Sequence, residues 1–178
     1  FRIAELAGRA ESIEVFYAEV HGIVSALLDA RNFFIALLTP DGGELDFPYS
    51  VDERDQARPR RRLARGLTEY VMASGEPLLA DRDGIHQLVA EGKVQSFGTP
   101  SVCWLGVPLH LEGRVAGVIA VQSYTPDYLY TRRDQELLSF VSFHIAQALD
   151  RRRANESLRL AYAELEQRVA SRTSELAD

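Results

Sequence analysis

From Thr131 to Asp178 the chain contains neither proline nor glycine, and no other feature restricts its fold as much. Thr131-Arg132-Arg133-Asp134 opens the run with a capping-box pattern, in which a hydroxyl caps the first turn and an acid three residues on reaches back. With nothing to break it, a helix of about 45 residues follows, roughly 70 Å long at 1.5 Å per residue. The remaining ~130 residues form a unit too small to bury a helix of that length. Its first half is expected to pack on the unit and its second half to leave it.

The helix carries a heptad seam. Leu137, Val141, His144, Ala148, Arg151, Asn155, Leu158, Tyr162, Leu165, Val169, Arg172 and Leu176 alternate by four and three. The seam is strongest from Leu158 to Val169. Ala148, Asn155, Leu158, Tyr162, Leu165 and Val169 are the candidate residues of a dimerising, signalling helix. Asn155 falls on an a-type position, where a buried amide pairs across a dimer and fixes its register; the alternative is that it marks the wet point at which the helix leaves the domain. A homodimer through the terminal helices competes with a single helix folded back on its own domain.

Upstream, Ile13, Phe16, Val20, Val24 and Leu27 make a stripe of helical period. Phe33–Leu38, a turn at Thr39–Gly43 and the alternating Leu45, Phe47 and Tyr49 predict a β-hairpin. Residues 52–62 are charged, with Arg58, Arg60, Arg61 and Arg62 around Pro59, and are expected as an exposed loop. A helix over Leu63–Ser74 stops at Gly75, a short extended piece follows at Glu76–Ala80, and a short helix over Asp83–Glu91 closes at Gly92. Val102–Leu111 and Val115–Val121 read as strands joined at Glu112-Gly113, the second apolar on both faces and so central in a sheet.

Composition excludes several classes. At 46% hydrophobic and 26% charged the chain is too apolar for disorder. A net charge of -6 speaks against nucleic acid as a partner. The longest apolar runs, such as Phe33–Leu38, fall far short of the ~20 residues that span a bilayer, and no signal peptide is visible, so a cytoplasmic location is expected. The chain opens at Phe1 and its sole methionine is Met72, so it is expected to be cut from a longer protein.

No catalytic constellation stands out. His21, His86, His110 and His144 show no metal-ligand spacing, and no metal or cofactor is required. The lone Cys103 cannot form an internal disulfide and reads as a buried thiol. The arginines of Arg58–Arg65 could grip phosphate or carboxylate, but read first as a solvated loop. Phe34, Phe47, Tyr49, Tyr70 and Trp104 could line a small-molecule pocket, with Asp81 as a polar contact and His86, on the short helix, as the histidine best placed to join them.

Several segments in order resemble the GAF domain of bacterial signalling proteins. They are Gly66-Leu67-Thr68-Glu69-Tyr70-Val71 with Ser74-Gly75-Glu76-Pro77-Leu78-Leu79, then Trp104-Leu105-Gly106-Val107-Pro108-Leu109 through Gly117-Val118-Ile119-Ala120-Val121-Gln122, then Tyr130-Thr131-Arg132-Arg133-Asp134-Gln135-Glu136-Leu137-Leu138. The resemblance covers roughly residues 10–150. It implies an α+β, profilin-like fold: a central antiparallel sheet of five or six strands, helices on both faces and a long C-terminal helix. The first and last helices would share one face and the pocket would lie on the other. The expected organisation is a helical lead-in over 1–11, a sensor domain over 12–150 and a signalling helix over 151–178.

Residues Leu165–Leu176 resemble the connector that leads from sensor domains to GGDEF (diguanylate cyclase) modules or histidine kinases. The implied function is a non-catalytic sensory domain, with an unidentified small-molecule ligand, relaying a signal to such an output. The alternatives are a pure dimerisation or docking module without ligand, and a GAF-type methionine sulfoxide reductase. That enzyme needs more than one cysteine, and this chain has one. Cyclic-nucleotide-binding members carry an Asn-Lys pair that is missing here; only Tyr130, Asp134 and Gln135 echo their pattern. Bilin attachment through a Cys followed by His does not fit Cys103, which Trp104 follows.

Overall fold

A computed structural model describes Ile3 and residues 12–177. The lead-in expected over 1–11 lies outside the described residues apart from Ile3, which is buried. The first helix, α1 (Ile13–Ser25), begins where the Ser12 hydroxyl accepts the Val15 amide at 3.3 Å. It buries Phe16, Tyr17, Val20 and Val24. The predicted stripe runs one step too far: the helix has ended before Leu27, which is exposed, and Leu28 turns inward instead.

Strands β1 (Phe33–Leu38) and β2 (Glu44–Val51) form the expected hairpin. Next comes a strand the sequence pattern does not reveal, β3 (Arg61–Arg62), pairing with Glu44 and Leu45. Two arginines at a sheet edge have no alternation to read. Helix α2 (Leu67–Ser74) starts later than expected, because Gly66 is still extended and caps it. Then follow β4 (Leu78–Asp81), α3 (Arg82–Ala90), β5 (Cys103–Leu111) and β6 (Arg114–Ser123). The last element, α4, spans Arg132–Ala177, 46 residues. Its capping box is formed: Thr131 accepts the Asp134 amide at 3.3 Å, and Asp134 accepts the Thr131 amide at 2.7 Å.

The six strands form one antiparallel sheet in the order β3-β2-β1-β6-β5-β4. Each face carries its own core. Helices α1 and α4 cover one, over Phe33, Ile35, Leu105, Val107, Leu109, Ile119 and Val121. On the other, Phe34, Ala36, Leu45, Trp104, Val118 and Ala120 meet Val71 of α2 and Ile85 of α3. The central strand is apolar on both faces because both are covered.

Burial along α4 ends abruptly. Leu138, Val141, Ile145, Ala148 and Leu149 are buried, while every residue from Arg153 to Ser174 is exposed. This corrects the expected seam: Ala148 is packed inside its own domain and is not free to meet a partner. Periodicity cannot tell a seam that faces a partner from one that faces its own sheet. The residues it passes over, Phe140 and Phe143, are 62% and 58% exposed. Among the described residues no helix is long and apolar enough to cross a membrane.

Candidate functional site

On the sheet face away from α1 and α4 lies a cavity of about 380 Å³. Phe34, Phe47 and Trp104 from the strands form its floor, Leu67, Thr68, Ile85, His86 and Val89 of α2 and α3 its sides, and residues 94–101 its roof. Local sequence explains each wall. Asp81 ends β4 and caps α3, accepting the Gly84 amide at 2.8 Å, which sets α3 against the cavity's edge. Gly106 leaves the room that the Trp104 indole fills.

Of the seven residues expected around a pocket, Phe34, Phe47, His86 and Trp104 line this cavity. The other three do not. Tyr49 stands on the opposite face, where its hydroxyl donates to His21 Nδ1 at 2.9 Å and its ring packs against Phe33 and Tyr17. The cause is a bulge. Ile35 pairs with Tyr49 but Leu37 with Asp46, so β2 holds one extra residue around Pro48 and the side chains beyond it change face. Tyr70 is half-buried on α2 outside the lining. Asp81 is spent on its cap.

The polar part of the cavity comes from the segment expected to be an exposed loop. The Asp52 side chain is 1% exposed. Its carboxylate accepts from Arg58 at 3.1 Å, Gln122 Nε2 at 2.7 Å, the Tyr124 hydroxyl at 2.8 Å and the amides of Arg54 and Asp55. Burial acts to raise the Asp52 pKa, but those hydrogen bonds hold it below the usual carboxylate range. Burial and the Asp52 charge together push the Tyr124 phenol up. Arg58 also lies 3.9 Å from Asp55, and its guanidinium stacks 4.3 Å from the centre of the Phe34 ring. Its Nε is buried with no acceptor among the described residues.

Arg61 pairs with Glu69 and lies between Phe47 and Phe97, 5.8 and 5.3 Å from their ring centres. Glu69 also accepts the Ala64 amide at 2.9 Å; burial opposes its charge, yet Arg61 and that amide keep its pKa low. The roof is pinned at two points. Thr99 donates from its amide and hydroxyl to Asp55, and the Gln95 amide donates to the Arg65 carbonyl at 2.6 Å. In the sequence Arg58 and Arg61 stand out as possible grips for a carboxylate but read first as a solvated loop. Asp55 and the roof escape a sequence reading, because a run of mixed charge looks the same whether it is solvated or paired with itself. The faint signal is Asp52 and Asp55 at a three-residue spacing, with Arg58 three further on.

Cys103 belongs to the other face of the sheet, in the core under α1 and α4. Burial pushes its thiol pKa up, so it is a poor nucleophile there. Among the described residues no three His, Cys, Asp or Glu side chains cluster as metal ligands would.

Comparison with known proteins matches residues 10–150 to the GAF domain. No curated protein matches the chain. Among solved structures it is similar to the free methionine-R-sulfoxide reductase of Neisseria meningitidis in complex with its substrate, at 17% identity over 86% of this chain and 87% of that one, TM-score 0.68. It is also similar to the GAF domain of a phosphoenolpyruvate-protein phosphotransferase from Coxiella burnetii, at 16% identity over 88% and 93%, TM-score 0.67. A third is the NLH2 GAF domain of A. aeolicus in an inactive state, at 18% identity over 87% and 93%, TM-score 0.58. At these identities the likeness is one of fold.

Proposed function

The chain belongs to the GAF domain family, and on that premise we propose that it is a non-catalytic sensory domain that binds a small molecule in the cavity, pairs with a second copy along α4 and relays its state to an output module. Family membership supports the sensory and regulatory role. The observation that carries the dimer is a stripe on α4. At about 100° per residue, Phe140, His144, Gln147, Arg151, Leu158, Tyr162, Leu165 and Val169 fall within about 60° of one another. Phe140, Leu158, Tyr162, Leu165 and Val169 in that stripe are each more than half exposed. Exposed apolar side chains repeating at this spacing on one helix call for a second helix. The stripe begins over the domain, so a partner helix would lie against both the rooted and the free parts of α4.

The connector-like Leu165–Leu176 favours a GGDEF diguanylate cyclase as the output, with a histidine kinase as the alternative. Against a methionine sulfoxide reductase stand the single thiol and its place across the sheet from the cavity. Light scattering on the 178-residue chain tests the pairing: a dimer is expected, and a monomer at high concentration overturns the relay.

A further inference from the structure

We propose that the cavity takes a small molecule of no net charge, with an aromatic or apolar body and a hydrogen-bond acceptor set beside a donor. Amides and amino-acid-like zwitterions share this chemistry. The inference rests on reading the cavity as a ligand site.

Charge balance carries the argument. Three guanidiniums reach the cavity: Arg58 and Arg61 inside and Arg82 at the exposed rim. Three carboxylates answer them. Asp55 lines the cavity, Asp52 holds Arg58 from behind, and Glu69 holds Arg61. Asp52 and Glu69 have side chains only 1% and 10% exposed, so water hardly screens them. An anion entering here finds each inner guanidinium already paired with a carboxylate and gains no uncompensated charge for the hydration it gives up. A cation meets the reverse, carboxylates already facing guanidiniums. Within the arginine-rich segment that suggests phosphate binding in the sequence, Arg58, Arg60 and Arg61 are each paired with a carboxylate.

Hydrogen-bonding capacity is a different matter from charge. Arg58 is charge-paired, yet its Nε has no acceptor among the described residues, and a buried donor left so is costly. A ligand oxygen supplies that acceptor once the guanidinium turns on its stem. Asp55, 3.9 Å from Arg58, is 21% exposed and offers an acceptor to a ligand N–H at the same end of the cavity. Donor and acceptor side by side in the protein ask for acceptor and donor side by side in the ligand. Phe34, Phe47, Phe97 and Trp104 supply aromatic surface in the lining for the body. A volume of about 380 Å³ is at the small end of ligand sites and suits one or two rings.

Five probes sharing one ring test the class: benzamide (neutral amide), L-phenylalanine (zwitterion), benzoate (anion), benzylamine (cation) and toluene (no polar edge). Each is titrated into the 178-residue chain by calorimetry, with Trp104 fluorescence as a second readout. Benzamide or L-phenylalanine is expected to bind about tenfold more tightly than the two ions and toluene, and the tighter of the two tells amide from zwitterion. Arg58→Lys, which keeps the charge and loses Nε, is expected to erase that preference. The ranking in the unsubstituted chain stands whether or not this variant folds. Benzoate or benzylamine binding most tightly, or toluene matching benzamide and L-phenylalanine, overturns the class and leaves the cavity a ligand site. Binding by none of the five overturns the ligand-site reading itself, and this inference with it.

Discussion

Gly106 has no side chain because the Trp104 ring occupies the space: a Cβ there would lie 2.1 Å from the indole. Gly106→Ala must therefore push the ring into the cavity or bend β5. Overpacking of this kind costs about 1–3 kcal/mol, and a lower urea midpoint with a shifted Trp104 emission maximum is the expected result. Asp52 is the second residue on which the site turns. Asp52→Asn leaves the Arg58 charge with only Asp55 beside it, and breaking a buried pair on one side costs about 3 kcal/mol; urea unfolding reads this directly. At this scale the sequence is legible where a residue has one use. Trp104 and Phe47 can be placed from alternation alone. Tyr49 cannot, because the bulge that turns it over depends on where Pro48 falls against the facing strand. Asp52 and Arg58 cannot either, since charge says nothing about which partner absorbs it.

Elements are more legible than their partners. The helices, the hairpin and the two long strands follow from period and punctuation, and the capping box at Thr131 fixes the start of α4. The face that α4 offers does not follow, because the same spacing describes a helix packed on a sheet and a helix packed on another helix. Phe140 and Phe143 were hidden by that ambiguity; their rings flank His144 at 4.4 and 5.5 Å on the outer side. Replacing both with Glu touches nothing in the buried core, so the domain keeps its circular dichroism while light scattering reports monomers. Asn155→Val should raise the melting temperature of a coiled-coil dimer and loosen its register, since an a-position Asn trades stability for specificity; an unchanged melting temperature means Asn155 is simply wet.

For the molecule as a whole, acid is the most direct probe. Asp52 and Glu69 have folded-state pKa values held below the ordinary range near pH 4. A depressed carboxylate stabilises fully above its unfolded pKa, and the contribution disappears as pH falls through the folded value. Stability is thus expected to be flat from pH 7 to about 5 and to drop below about pH 4, measured as the urea midpoint. The two carboxylates anchor the loop and edge around the cavity, so Trp104 emission should change at or before the global transition.

The sheet between the cavity and α4 is a single strand thick. Along β5, Trp104 faces the cavity while Cys103 and Leu105, its immediate neighbours, face the core beneath the helix. In the relay proposed above, a displacement of Trp104 would pass through these neighbours to a rod clamped at one end. Its free span, from Arg153 to Ser174, is about 33 Å long at 1.5 Å per residue. By simple leverage, a tilt of about 2° at the clamp moves the far end by about 1 Å over that span. In that relay, a motion too small to disturb the packing of the core would be magnified by the length that the core could not bury.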